Sequence, residues 1–298
     1  MKLFAPKCYT EFKCIADRCR HSCCIGWEID IDDASAEKYA SLQNGYGIEI
    51  AKSIDFDGVA HFRLLDGERC PHLAPSGLCR IIAELGEDYL CDICREHPRF
   101  YNNTPRGREV GLGAACEEAC RIILSSDDYR EMITLGSVNG EPMESDFDAL
   151  AARDELYSIL TNRTLPYHER LALIYGRFGV SPNELTDGEW RELLGSLEYL
   201  DESHKVDFAV YSSDRSTPSE LEAPLERALA YFIYRHCAEA QDEDEHRAAL
   251  GFALFCERLI ASVAKAKKHD ICEIVRAVSE ELDYSEDNTE AIKFEFCC

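Results

Sequence analysis

The chain has 298 residues, room for one large domain or two ordinary ones, and 46% apolar residues supply a core. A formal net charge of −25 opposes nucleic acid, whose phosphates need a basic face. No stretch approaches the ~18–20 unbroken apolar residues of a membrane helix. Met1-Lys2-Leu3-Phe4-Ala5-Pro6-Lys7-Cys8 reaches a proline and a second lysine before any apolar run, so no signal peptide is expected and a cytoplasmic protein is the default.

Sixteen cysteines are many for this length. A secreted protein would pair them as disulfides. A cytoplasmic one keeps them reduced for metal or catalysis, and that reading is favoured. The cysteines divide the chain: eleven fall within residues 1–120 and five lie from Cys237 onward.

In chain order, Trp27-Glu28-Ile29-Asp30-Ile31-Asp32 alternates apolar and acidic residues, which predicts a short strand or extended segment. Asp33-Ala34-Ser35-Ala36-Glu37-Lys38-Tyr39 then starts a helix, with acidic residues in its first turn. Turns at Asp66-Gly67, Pro75-Ser76-Gly77 and Pro105-Arg106-Gly107 predict an irregular region of short helices and a small hairpin. A break follows at 136–142. Beyond it Leu150, Leu156 and Leu160 fall near helical spacing, as do Leu171 and Ile174, then Trp190, Leu193 and Leu197. Amphipathic helices follow over 218–240, 246–267 and 270–283. The expected fold is mainly α. A cysteine-rich metal-binding domain with little strand spans 1–135, and an acidic helical bundle spans 143–298.

The thiols form three groups. Cys14, Cys19, Cys23 and Cys24 come first. Cys70 and Cys79 lead to Cys91-x2-Cys94, and Cys116 and Cys120 close the series. Closely spaced thiolates on short loops are what a soft metal needs. Four-thiolate zinc usually pairs two C-x2-C knuckles, and only Cys91-x2-Cys94 is one. Irregular spacing suits an iron–sulfur cluster, 4Fe-4S first, with zinc or structural disulfides as alternatives. His72 stands two residues from Cys70 as a substitute ligand or a neighbour of the ligands. Arg95 and Arg99 flank His97 and Pro98 and are candidates for binding cluster sulfurs or a cofactor carboxylate.

The run Cys14-Ile15-Ala16-x2-Cys19-x3-Cys23-Cys24-x-Gly26-Trp27-x-Ile29-x-Ile31-Asp32 resembles the start of the flagellin lysine-N-methylase family. So do Cys70-Pro71-x-Leu73, Gly77-Leu78-Cys79-x-Ile81, Leu90-Cys91-x2-Cys94-Arg95-x2-Pro98-Arg99 and Cys116-x-Glu118. That family sits within a wider set of cysteine-cluster proteins described as iron- or zinc-chelating. The likeness covers about residues 1–125; beyond it, Tyr231-Phe232-x-x-Arg235-His236 is similar. It implies S-adenosylmethionine-dependent methylation of lysine side chains on flagellin. It also leaves Cys8 outside the ligand set, where the family favours an aromatic, and makes Cys120 incidental. The ligand set is then Cys14, Cys19, Cys23, Cys24, Cys70, Cys79, Cys91, Cys94 and Cys116.

The residues name no catalytic base. Glu109-Val110-Gly111-Leu112-Gly113 is a faint echo of a methyltransferase glycine turn, better read as a tight loop. The radical C-x3-C-x2-C pattern is absent, since Gly26 stands where its third cysteine belongs. A non-enzymatic iron–sulfur or zinc protein with a redox or structural role is the alternative. Glu226 is too distant to pair with Arg235 along a helix, and an Arg235–Glu239 surface pair is expected instead. Tyr231 and Tyr234 read as core or rim, and Cys297-Cys298 as a frayed tail. Residues 1–130 carry 16 basic and 22 acidic residues, net −6, and residues 131–298 carry 16 and 35, net −19. That excess offers a field for a protein substrate with exposed lysines, docked on the helical half with the cofactor between the halves.

Overall fold

The computed structural model describes residues 1–43, 45–181, 185–267 and 269–297. The N-terminal part holds β1 (Lys2–Pro6), α1 (Asp33–Ala40), α2 (Gly45–Ser53), β2 (Ile54–Asp55), β3 (His61–Phe62), α3 (Arg80–Leu85) and α4 (Asp92–Glu96). Then come β4 (Arg99–Thr104), β5 (Gly107–Leu112), α5 (Glu117–Ser125) and β6 (Met132–Ser137). The remainder is helical: α6 (Ala149–Leu160), α7 (Tyr167–Arg177), α8 (Asp187–Ser196), α9 (Glu202–Phe208) and α10 (Ser219–His236). α11 (Glu243–Ala266), α12 (Ile271–Val278) and α13 (Glu286–Phe294) complete it, with a π-helical turn over Ser279–Asp283. The mainly helical expectation holds. Among the described residues no helix is long and apolar enough to cross a membrane.

Two compact units form, one of residues 13–98 and one of residues 1–12 with 99–298. The division differs from a break at 136–142 because strand pairing ties the flanks of the cysteine-rich region to the helices. β1 runs parallel to β5, with Leu3 opposite Arg108, and antiparallel to β6, with Ala5 opposite Ile133. The β4–β5 hairpin turns at the expected Pro105-Arg106-Gly107, giving a sheet ordered β4-β5-β1-β6. Gly107 sits at φ +139°, and a Cβ there would lie 2.5 Å from the Lys2 carbonyl oxygen. Only glycine lets the hairpin meet β1 so closely.

The larger unit's core is centred on α10 and α11. Seventeen of α11's 24 residues are buried, from His246 to Val263. Trp190 from α8 stacks on Phe255 and Phe296 at 4.5 and 5.8 Å between ring centres. Such aromatic pairs add to area burial by about 0.5–1.5 kcal/mol each.

The smaller unit has a slight core of Ile29, Ile31, Tyr39, Ile50, Ile54, Phe62, Leu73 and Ile81, joined by Cys70 and Cys91. Residues 27–32 are extended, bridged at Asp30 to His61. α1 begins where expected because the Asp32 carboxylate accepts from the Ser35 amide at 2.9 Å. Its other oxygen accepts from the Asp92 amide at 2.8 Å, so one side chain starts α1 and fixes the start of α4.

Candidate metal centre

In the smaller unit, three local folds bring thiols together. The Cys70 amide donates to the Cys24 carbonyl at 2.8 Å, which lays the first cysteine group beside the second. Leu73 bridges to Cys79, and Cys79 is the N-cap of α3. Cys91 is the N-cap of α4, so Cys94 faces back toward it one turn later. Cys70 and Cys91 are 6% and 1% exposed, and Cys24, Cys79 and Cys94 pack against the same core.

These thiols are close enough to set one another's acidity. A hydrogen bond with Cys23 outweighs burial and, with Ser22 and Arg69, brings Cys24 down to about 7. Burial, reinforced by Cys24, Cys79 and Cys91, pushes Cys70 up to about 12. Cys79 is raised by burial and by Cys24 and Cys91. The hydrogen bond between Cys91 and Cys94 lowers the former and raises the latter. Burial and thiol–thiol hydrogen bonds are the main causes and repulsion between neighbouring thiolates adds to them, a penalty that a bound cation would relieve. Six thiols of this unit thus lie within electrostatic reach of one another, as the hydrogen-bonded pairs Cys23–Cys24 and Cys91–Cys94 with Cys70 and Cys79. Soft thiolate donors of this kind suit a thiophilic metal.

The other expected residues divide. Cys14 is exposed, its sulfur accepting from the Ala16 amide at 3.4 Å, and Cys19 contacts the His21 carbonyl at 3.2 Å. Cys116 lies in the larger unit as the N-cap of α5, in electrostatic reach of Tyr284. Cys120 is fully buried on α5 against the Cys272 carbonyl. Arg95 donates to the Leu90 carbonyl and to Asp92, its helical neighbour. Arg99 opens β4 in the larger unit and donates from Nε to Tyr9 Oη at 2.8 Å. His72 is 2% exposed and has both nitrogens engaged, Nδ1 with Tyr46 Oη at 3.1 Å and Nε2 with Ser53 Oγ at 2.9 Å. It braces the core behind the thiols, and burial lowers its pKa to about 4.

Other readings need correction. α10 ends at His236, so Glu239 lies past the helix and accepts from the Asn103 amide. Arg235 instead turns inward to Asp283, and Glu226 pairs with Arg170 at 2.6 Å and Arg163 at 3.0 Å. Glu109 forms a buried two-point ion pair with Arg153 at 2.7 and 2.8 Å. Gly111 and Gly113 are small because a Cβ would overlap Phe100 and Tyr284. Cys297 is exposed, and Cys298 lies outside the described residues.

Among the described residues, the one group of three metal-capable side chains with ligand atoms in mutual reach contains no cysteine. His204, Glu280 and Glu281 place an atom each within 4.8 Å of one another. Glu281 already accepts from His204 Nδ1 and the amides of Leu200 and Asp201, and Glu280 pairs with Arg276. Its bonds are those of a loop anchor.

No family model matches the chain, and no solved structure does. Curated relatives exist. Lysine-N-methylase of Salmonella typhimurium (strain LT2) is 28% identical over 131 residues, 41% of this chain and 32% of that protein. The lysine-N-methylase of Salmonella choleraesuis matches to the same extent. Flagellar biosynthetic protein FliU of Salmonella muenchen is 26% identical over 165 residues, 52% of this chain and 94% of FliU. The match thus spans about a third of the length of the lysine-N-methylases. Over this part of its length the chain is similar to the lysine-N-methylases, the family its cysteine motifs resemble.

Proposed function

We propose that the chain is a protein-lysine N-methylase that takes its methyl group from S-adenosylmethionine and holds an iron–sulfur cluster, 4Fe-4S, on its N-terminal cysteines. Its substrate is a protein with exposed lysines, flagellin by kinship, and its place is the cytoplasm. The observation that carries the activity is the match to two lysine-N-methylases and to FliU. Support for the cluster comes from six thiols that influence one another's acidity, Cys23, Cys24, Cys70, Cys79, Cys91 and Cys94. Cys14, Cys19 and Cys116 stay in the proposed ligand set. Arg95 and Arg99 remain the proposed cofactor contacts.

The transfer balances simply. The donor's S–CH3 bond breaks as an N–CH3 bond forms on a neutral lysine amine. The sulfonium leaves as a thioether, and a proton passes from the methylated amine to a base or to water. A bound cluster supplies thiolate-held iron, and folding free energy with it.

The test is a methyl-transfer assay with the full chain purified without oxygen. Flagellin and donor labelled in the methyl group are incubated with it, and methyl-lysine is read by mass spectrometry. Labelled lysine in flagellin is the expected result. Cluster-loaded protein that leaves flagellin unlabelled at saturating donor overturns the reading in favour of a non-enzymatic cluster protein.

A further inference from the structure

A small cavity in the larger unit is walled by the rings of Tyr9, Tyr129, Tyr157, Tyr231 and Tyr234. Each of these phenol oxygens already has a hydrogen-bond partner. Tyr129 donates to Glu226 Oε1 at 3.1 Å, Tyr157 to the Ala230 carbonyl at 3.1 Å, and Tyr234 to the Val110 carbonyl at 3.2 Å. Tyr231 donates to Asp283 Oδ2 at 2.6 Å, and Tyr9 accepts from Arg99 at 2.8 Å. Arg99 already lies over the Tyr9 ring at 5.8 Å and Arg153 over the Tyr234 ring at 5.2 Å, so the electron-rich π surface left to offer is that of Tyr129, Tyr157 and Tyr231. A cluster of aromatic rings with spent hydroxyls is poorly suited to sugars or anions and well suited to an organic cation.

Size narrows the choice. The cavity holds about 40 Å³, which at roughly 10–15 Å³ per water-sized group admits about three such groups. That is too small for the adenosine of the methyl donor. It is the size of a nitrogen with its methyl groups. The cavity also runs the right way: Tyr9 and Tyr129 are half-exposed, while Tyr157, Tyr231 and Tyr234 are 5–6% exposed.

The nearby cations are neutralised. Arg227, on the lining, donates to Asp127 at 2.6 Å and to the Leu124 carbonyl at 2.8 Å. Lys7 lies between Asp128 at 2.8 Å and Glu131 at 3.0 Å. Glu226, behind Tyr129, is matched by Arg163 and Arg170. Arg153, over Tyr234, is paired with Glu109, and Arg99 is held at the outer ring of Tyr9, so an incoming cation meets the rings of Tyr129, Tyr157 and Tyr231 first.

We propose that this tyrosine cavity seats the side-chain tip of the target lysine and holds its ammonium, bare or methylated, by cation–π attraction. The assignment rests on the lysine-N-methylase reading and gives that activity the lysine site it lacks. Methylation spreads the ammonium charge and weakens its hydration, so the cavity favours the methylated tip most.

The test needs no methyl transfer. The full chain is titrated by calorimetry with Nα-acetyl-Nε-trimethyllysine amide and with its neutral isostere, in which carbon replaces the quaternary nitrogen. The two have one shape and differ in charge. The cation should bind about five- to thirty-fold more tightly. Tyr129→Phe should keep that preference and Tyr129→Leu should reduce it several-fold, with thermal melting confirming that both variants are folded. Equal binding of the two compounds, binding of neither at millimolar concentration, or an unchanged preference in Tyr129→Leu overturns the proposal. Because no donor is present, failure here is separable from failure of the methylase reading, which the labelling assay reads independently.

Discussion

Asp283 Oδ1 accepts the Arg235 Nε proton at 2.6 Å, although 48 residues separate them in the chain. The same oxygen meets His236 Nε2 at 2.5 Å, and Oδ2 accepts from Tyr231 at 2.6 Å and Ser279 at 2.7 Å. Burial alone would raise this carboxyl's pKa, but Arg235 and His236, with the hydrogen bonds, hold it well below the ordinary carboxylate range. π-Helical turns often mark sites where a side chain must be re-aimed, and this one aims Asp283 at α10.

Asp283→Asn keeps the shape and removes the charge, which strands Arg235 in the interior. The expected cost is about 3–5 kcal/mol, the usual penalty for leaving one partner of a buried pair. Urea unfolding of both proteins measures it. Adding Arg235→Met should recover part of the loss. A single-variant change below about 1 kcal/mol would show that the carboxylate is not what holds α10 to the turn.

The smaller unit depends on its thiols in a different way. Its core has eight apolar side chains besides Cys70 and Cys91, little for a unit of this size to fold on without a staple. Cys91→Ser and Cys79→Ser should therefore lose bound iron and acid-labile sulfide together, and leave residues 13–98 open to proteolysis. Cys120→Ser, which alters a buried contact with Cys272 in the other unit, should retain both. Iron analysis and limited proteolysis separate the cases. Full stoichiometric iron in Cys91→Ser would remove that residue from the ligand set. Stoichiometric zinc in colourless protein would replace the cluster with the zinc alternative.

Local signals were legible and long-range ones were not. Asp32 before an acidic first turn, the Pro105-Arg106-Gly107 turn and most helices of the second half are fixed by neighbours within a few residues. The thiol groups stood out because ligand chemistry restricts residue type as well as spacing. By contrast, the pairing of Leu3 with Arg108 joins strands a hundred residues apart, and neither carries a pattern naming the other. The expected Arg235–Glu239 pair failed because α10 stops at His236, a stop that carries no glycine or proline signal. Asp283 and the tyrosine cavity were hidden for the same reason: their members come from β1, α5, α6, α10 and the turns between. Gly111 and Gly113 were the nearest clue, small residues against Tyr234, Phe100 and Tyr284.

His246 gives a pH prediction with a defined sign. It lies 3% exposed on α11 between the rings of Phe147 and Phe178, at 5.2 and 5.7 Å, and burial lowers its pKa from 6.5 to about 4. The folded state therefore binds this proton less readily than the unfolded chain. Its contribution is intact above pH 6.5 and is lost as pH falls from 6.5 toward 4. At 1.36 kcal/mol per unit the loss approaches about 3 kcal/mol. His246→Phe should flatten that part of the stability–pH curve in urea unfolding between pH 7 and pH 4. An equally steep decline in the variant would assign the acid sensitivity to other groups.

The acidic excess yields the last prediction. Residues 131–298 carry 16 basic and 35 acidic residues, net −19, which is about three-quarters of the total of −25. Many of these carboxylates pair locally, as Glu155 does with Arg177 at 2.6 Å and Asp214 with Lys265 at 2.7 Å. Exposed pairs of this kind contribute little to stability, but the unpaired remainder still sets a long-range field. A lysine-rich protein should be drawn to that field, and a small methyl donor with a single net positive charge much less so. Raising salt from 0.1 to 1 M shortens the Debye length from about 10 Å to about 3 Å. Substrate association should slow by about tenfold or more across that range while donor affinity moves far less, because steering acts chiefly on the encounter rate. Stopped-flow association of flagellin at several salt concentrations reads the slope directly. A flat slope would mean that the acidic side chains solvate their helices and play no part in bringing the substrate in.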